Sequence, residues 1–241
     1  MNMKNSGNSY GFNTSTDTHT IKNIEWGSVA YLSHSKYGTC TNGECYEIGL
    51  NNNSSDKIGC GTEAGSASST TCNEYNTELG KGASTTGNIY GVYDMSGGAW
   101  DYTMGNLMYK DGTTPMSGYS SNWNSGYTGR VYYDNSTDQN VTWQEYEGKE
   151  YPTTYIDKYS YSSNSRKATK LGDSVKEVYS NSSTGRGWYI DYNYSVISSA
   201  PWFIHGGRCG SGSAVGVFAS YNDYGAAGNN YSTHLIFNPL K

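Results

Sequence analysis

Asn88-Ile89-Tyr90-Gly91-Val92-Tyr93-Asp94-Met95-Ser96-Gly97-Gly98-Ala99-Trp100-Asp101-Tyr102 is the stretch on which the fold of this chain turns. Tyr90, Val92, Tyr93, Met95, Ala99 and Trp100 supply apolar bulk on both sides of a Ser-Gly-Gly turn. Asp94 and Asp101 read as turn and strand-end acceptors, because nothing else in the stretch equips them as an acid/base pair. Order returns to the chain here after a long interval of Gly, Asn, Ser and Thr clusters at 37–88, which is loop chemistry.

Upstream, residues 1–20 are polar and rich in Ser, Thr and Asn, and a flexible segment is expected over 1–22. Asn23 reads as an N-cap, with Ile24, Trp26, Val29, Ala30 and Tyr31 at i, i+3/i+4 spacing, so a helix is expected over 24–32. Between helix and motif lie Cys40, Cys45, Cys60 and Cys72, while Cys209 stands alone. The intervals C-x4-C and C-x11-C match no zinc spacing. Disulfides are expected, with Cys40–Cys45 and Cys60–Cys72 the simplest of three connectivities, and they point outside the cytoplasm. The opening MNMKNSGNSYGF has no apolar core of a signal peptide, so export is expected to depend on a separate piece or on release with a virion.

Downstream, residues 105–187 are low in aliphatics and expected as a loop-rich insertion. Trp188–Ile204 alternates aromatic and polar residues as one or two strands would. The Gly-rich stretch 205–236 leads into Leu235-Ile236-Phe237, expected as a buried terminal strand. Residues 23–241 form one domain in this reading.

Composition narrows the function. The net charge is −5, with 16 Lys+Arg against 21 Asp+Glu, which argues against a nucleic-acid partner. No apolar run approaches the roughly 20 residues of a membrane-spanning helix, so direct membrane insertion is not expected. Tyr, Gly, Ser and Asn together make 113 of the 241 residues. Antibody contact loops favour the same four types, since Tyr gives rigid amphipathic area and the small polar residues give adaptable hydrogen bonds. Composition therefore leans towards binding.

The 88–102 stretch resembles the N-x-(Y/F)-G-L-Y-D-M-x-G-N-V-W-E-W signature of the formylglycine-generating-enzyme-like (sulfatase-modifying-factor) domains. Glu25-Trp26 before Val29-Ala30 resembles their E-W-E-x-A-A helix. Trp202-Phe203-Ile204-His205-Gly206-Gly207-Arg208 resembles their R-G-G-S-W strand, and Ser232-Thr233-His234-Leu235-Ile236-Phe237 their closing G-F-R-x-V-L strand. Order and spacing agree over 23–240 apart from about 105–187. The resemblance implies an α+β, C-type lectin-like fold with much irregular structure.

The family's oxidase chemistry is not expected to follow. Oxidase members hold copper(I) on two thiolates near the C-terminus, and soft copper(I) needs the pair. Cys209 falls near the first, but Ala214 stands where the second would be. Gly98 and Asp101 depart from the Asn and Glu of the G-N-x-W-E turn, and His234 stands at the place of an Arg, so calcium ligation there is not expected either. No metal, cofactor or catalytic residue is assigned, and the chain is read as a non-enzyme. The alternative is the copper oxidase, or an enzyme using Cys209 with His205 at i, i+4 on a strand.

Residues 203–240 contain no Lys, Glu, Gln, Met or Trp. In the variable proteins of diversity-generating retroelements, adenine randomisation of AAC codons yields NNC codons, which never encode those five. Cys209–Asn230 resembles such a variable region. The expected contact residues are Ser211, Ser213, Phe218, Ser220, Tyr221, Asn222, Asp223, Tyr224, Asn229, Asn230 and Tyr231, with Ile204, Val215, Val217 and Leu235–Phe237 holding the core. The expected partner is a protein or glycan ligand on another cell or surface, met by an extracellular, cell-surface or phage-borne module.

Overall fold

The computed structural model describes residues 16–51, 56, 58–62, 72–108, 145–146, 149–150, 157–160, 188–194, 196, 200, 202–225 and 228–238. Chain order runs β1 (Asp17–Thr20), α1 (Asn23–Ser33), β2 (Cys40–Thr41), β3 (Glu44–Cys45), β4 (Cys60–Gly61), β5 (Asn73–Glu74), β6 (Trp100–Met108), β7 (Glu145–Tyr146), β8 (Lys149–Glu150), β9 (Asp157–Ser160), β10 (Trp202–His205), β11 (Ser220–Asp223), β12 (Tyr231–Ser232) and β13 (Leu235–Asn238). Among the described residues, one α-helix and several small sheets make a mixed α+β architecture with much irregular backbone.

The helix starts one residue earlier than expected. Glu25, in the first turn, accepts the Lys22 backbone N–H at 2.9 Å, so Lys22 and not Asn23 occupies the cap. That releases Asn23 for the interior, where its side chain accepts the Thr103 hydroxyl and lies 2.8 Å from His205 Nε2. Trp26 is wholly buried and donates its indole N–H to Val217 O at 2.8 Å. Ile21, Ala30, Ile48, Met95, Val217 and Phe218 close round it as the main core.

The central sheet has the order β11-β10-β6-β12, with β9 also paired to β6. β10 runs antiparallel to both β6 and β11, whereas β12 and β9 run parallel to β6. Register places Phe203 beside Asn222 and His205 beside Ser220 and Asp101, and the Asn23 contacts with His205 and Thr103 put α1 on that face. Ile204 lies beside Tyr221 and Tyr102 on the other face.

Several expectations change. The flexible segment does not extend to residue 22: Asp17–Thr20 pairs with Leu235–Asn238, so the two ends of the described chain zip together; residues 1–15 lie outside the described residues. The terminal strand forms, but Leu235 and Phe237 are exposed and only Ile236 packs on the core, because a two-stranded sheet covers one face alone. The expected insertion contributes Asp157–Ser160 to the central sheet; most of its remainder lies outside the described residues. Among the described residues of Trp188–Ile204, the strand is the one that begins at Trp202 and ends at His205, while Trp188–Ile190 forms a 3-10 turn.

The cysteine-rich segment is pinned as the simplest connectivity has it, Cys40 to Cys45 and Cys60 to Cys72. The first bridge closes a two-residue hairpin whose Asn42-Gly43 corner has both φ positive, the geometry that suits the twist of the flanking strands. The Ser-Gly-Gly turn carries the close approach of this segment to the rest. Gly97 and Gly98 have φ of 79° and 75°, and a Cβ on Gly97 would stand 2.1 Å from Asn51 O. Asp94 accepts Asn51 Nδ2 at 3.0 Å and Gly59 N at 3.1 Å, tying both sides of the disulfide-bearing segment to the motif. Asp94 is thus a turn acceptor. Asp101 is a strand acceptor for the Ser232 hydroxyl at 2.6 Å.

Candidate functional site

The face of the central sheet turned away from α1 is aromatic. Trp100 and Tyr102 lie two apart on β6, Ile204 is their neighbour on β10, and Tyr221 is its neighbour on β11, so the alternation of a strand brings them to one side. Trp100, Ile204 and Ala219 form a second core cluster, with Tyr102, Tyr192 and Tyr231 packed on its margin. The Tyr221 ring lies 5.9 Å from Trp100 and 4.9 Å, edge to face, from Tyr194, which in turn lies 5.9 Å from Tyr192. Tyr102 and Tyr231 rings are 5.0 Å apart. Such spacings fall in the favourable range for aromatic pairs.

Asp223 organises the rim of this face. It accepts the Tyr102 hydroxyl, the Tyr231 hydroxyl at 2.7 Å and the Gly225 N–H at 2.9 Å. Burial, then the hydrogen bond and charge of Asp223, push the Tyr231 hydroxyl up to about 12, so it remains a donor throughout the physiological range. Gly225, at φ 82°, lets the chain pass over the Trp202 indole, where a Cβ would come within 2.7 Å of Nε1. Just beyond Asp223, the chain leaves the sheet and presents Tyr224.

The expected contact residues divide on this geometry. Tyr221 is 38% and Tyr224 53% exposed. Asn229 is exposed, and Ser211, Asn222, Asn230 and Tyr231 are half-buried. Asn222 points to the opposite side of β11 from Tyr221, so these two cannot meet one flat ligand surface through the same sheet face. Phe218, Ser220 and Asp223 are corrected: they are buried, at 0%, 1% and 8% exposure. Phe218 belongs to the core under α1, Ser220 donates to Asn193 Oδ1 at 3.2 Å, and Asp223 is covered by the two tyrosines it holds. Ser213 lies in the 3-10 turn Cys209–Ala214, and its side chain is outside the described residues. Val215, Val217 and Ile204 are buried as expected of core residues.

Trp100, Tyr102, Tyr192 and Tyr194 were not among the expected contact residues. Their signal is the alternating pattern itself: Trp100-x-Tyr102 and Tyr192-x-Tyr194 each place two rings on one side of an extended chain.

The histidine and the free thiol are engaged apart from each other. His205 is fully buried, stacked 5.2 Å from Trp26, with Nδ1 3.1 Å from Ala219 O. Burial pushes it down to about 3, so it is neutral. The strand does not continue to Cys209: Gly206 and Gly207, at φ 81° and 79°, turn the chain, which removes the i, i+4 relation. Cys209 donates its thiol to Asp56 Oδ1 at 3.1 Å, and burial followed by that hydrogen bond raises it above the ordinary thiol range. A raised, donating thiol is the reverse of an activated nucleophile. His234 has a structural partner. It lies 3.3 Å from Asp101 as an ion pair, and Nε2 is 2.8 Å from Tyr93 O. Burial alone would lower it, but Asp101 and the Tyr93 carbonyl outweigh burial and lift it to about 9.

Among the described residues, no group of three or more His, Cys, Asp or Glu is arranged to hold a metal ion, and no helix is long and apolar enough to cross a membrane. Compared with protein-family models and with curated proteins, the chain matches none.

Proposed function

We infer that the chain is a non-enzymatic ligand-binding module, of receptor or adhesion type, on a C-type lectin-like frame resembling the formylglycine-generating-enzyme-like domains. Its C-terminal surface resembles the diversified surface of retroelement variable proteins. The observation that carries this reading is the pair of exposed tyrosines at the end of β11: Tyr221 on the aromatic face turned away from α1, and Tyr224 where the chain leaves the sheet beside the hydrogen-bonded Asp223. Exposed tyrosines held by a fixed scaffold give contact area at small entropic cost, and the neighbouring Asn229 and Asn230 supply adaptable polar groups. The ligand class is a protein or glycan displayed on another surface.

The two disulfides suit an oxidising, extracellular-type environment. Display on a cell surface or a phage virion is the finer proposal. The copper oxidase finds no comparable support, since Cys209 is a protonated donor to Asp56 with no cysteine after it in the chain.

The test is a screen of surface proteins and glycans against the wild type and the double variant Tyr221→Ala, Tyr224→Ala. Binding is expected to vanish in the variant with the melting temperature within a few degrees, as for surface substitutions in general. Collapse of the fold would instead assign these rings to the core. Sequencing the locus in sister isolates checks the diversified surface: changes confined to 209–234 are expected.

A further inference from the structure

Trp188–Tyr194 runs as a strap between α1 and β11, and part of it is held in an unusual backbone shape. Tyr189 and Ile190 have φ of 58° and 73°, a region that a β-branched residue occupies only when its surroundings force it. Asp191 follows at once, fully buried, and accepts the Phe218 N–H at 3.1 Å. Glu47, far earlier in the chain, meets it. A Glu47 oxygen and both Asp191 oxygens stand 2.1–2.3 Å from the point where a Gly216 Cβ would project, so the two acids face each other across the bare Cα of Gly216. Any other residue at 216 would drive its side chain into the pair.

The surrounding groups do not offset two buried negative charges. From the strap, the Tyr189 hydroxyl is raised by burial and then by both carboxylates. At the C-terminal end of α1, the His34 ring lies tilted 4.8 Å from the Tyr189 ring and is lowered by burial, which favours its neutral form. The segment Val215–Phe218 carries no titratable side chain. Two close carboxyl groups in such a place cannot both ionise without strong repulsion.

We propose that Glu47 and Asp191 form a proton-held latch, in which a proton kept between the two carboxyl groups closes the strap and its loss on the alkaline side drives the groups apart. Burial pushes Glu47 up to about 7, with the Asp191 hydrogen bond acting in the opposite sense, and the two titrate as a pair. An acid whose folded value is raised stabilises the closed form at low pH and loses that contribution as the pH climbs through the raised value. The strap's further hydrogen bonds carry the effect to the aromatic face. Tyr192 donates to Ala214 O at 2.7 Å, Ser220 to Tyr192 O at 2.8 Å, and Tyr194 to Ser220 O at 3.0 Å, while the Tyr194 ring flanks Tyr221. Control of binding by the latch rests on the contact-surface reading; the latch itself does not.

Native-state hydrogen exchange on the full chain, without ligand, separates the two. Protection of the Asp191, Tyr192, Tyr194 and Phe218 amides, corrected for intrinsic rates and taken relative to Met104 in the central sheet, is expected to fall roughly tenfold or more from about pH 6 to about pH 9. Glu47→Gln replaces the shared proton by an amide donor and is expected to keep that relative protection at both values. A flat wild-type profile, or the same loss in Glu47→Gln, overturns the latch; should that variant fail to fold, the wild-type profile alone decides. Restoration of protection at high pH by calcium would also overturn it, by making the pair a cation site.

Discussion

The two faces of the central sheet use the same residue types to opposite ends. On the α1 side, Trp26, Phe203 and His205 are entirely dry, and the polar atoms among them find partners in Val217, Ala219 and Asn23. On the other side, Trp100, Tyr102, Tyr221 and Tyr231 form an equally aromatic layer in which the Tyr102 and Tyr231 hydroxyls converge on Asp223, Trp100 is buried and Tyr221 stays open to solvent. What separates them is the margin: the helix seals one face, whereas the other is buried at Trp202 and Ile204 and opens at Tyr221 on its edge strand. Aromaticity therefore marks the core only where a second layer lies over it, and elsewhere it marks a surface able to receive one.

That contrast can be broken from the dry side first. Trp26→Ala removes the largest fully buried side chain together with its hydrogen bond and is expected to cost about 3–5 kcal/mol, seen as a large fall in melting temperature or failure to fold. The ion pair of His234 with Asp101 tests the same face by pH. The histidine's folded value is raised to about 9 from an ordinary 6.5, so its contribution is complete below about pH 6.5 and is lost as pH rises through about 9. Thermal melts across that interval are expected to show a loss of about 1.5–3 kcal/mol, the order of a charged buried contact, and His234→Gln is expected to reduce it.

Two changes on the open side sharpen the comparison. Gly225→Ala meets both a positive φ and the Trp202 indole, and a loss of about 1–3 kcal/mol is expected from overpacking and strain; denaturant melts measure it. Tyr224→Ala, by contrast, is expected to stay within about 0.5 kcal/mol of the wild type by the same melts. A larger loss would show that the exposed rim holds the fold and is not reserved for a ligand.

Legibility in the sequence followed the range of the interaction. The helix, the Ser-Gly-Gly turn and the strand at Trp202–His205 were readable because each depends on spacing over a few residues, whereas the cysteines left three connectivities open until the structure showed the simplest of them. The cap was misplaced by one residue because Glu25 reaches back to Lys22, a contact that competes with the intrinsic preference of Asn23 for the cap. Phe218 and Asp223 were misassigned for a longer-range reason. Phe218 stands three residues before the exposed Tyr221 and Asp223 directly before the exposed Tyr224, yet α1 covers the first and Tyr102, 121 residues away, caps the second.

The sequence by itself determined the kind of molecule: low charge, abundant Tyr and Gly, four cysteines crowded into one stretch, and a helix beside strands, since composition and local periodicity already limit what can be buried. Only the tertiary structure decided which aromatic rings face solvent, that Glu47 and Asp191 meet over Gly216, and that Cys209 bonds Asp56 while His205 lies under Trp26. Those facts arise from segments far apart in the chain converging on one volume, and no local pattern records which side chain reaches it first.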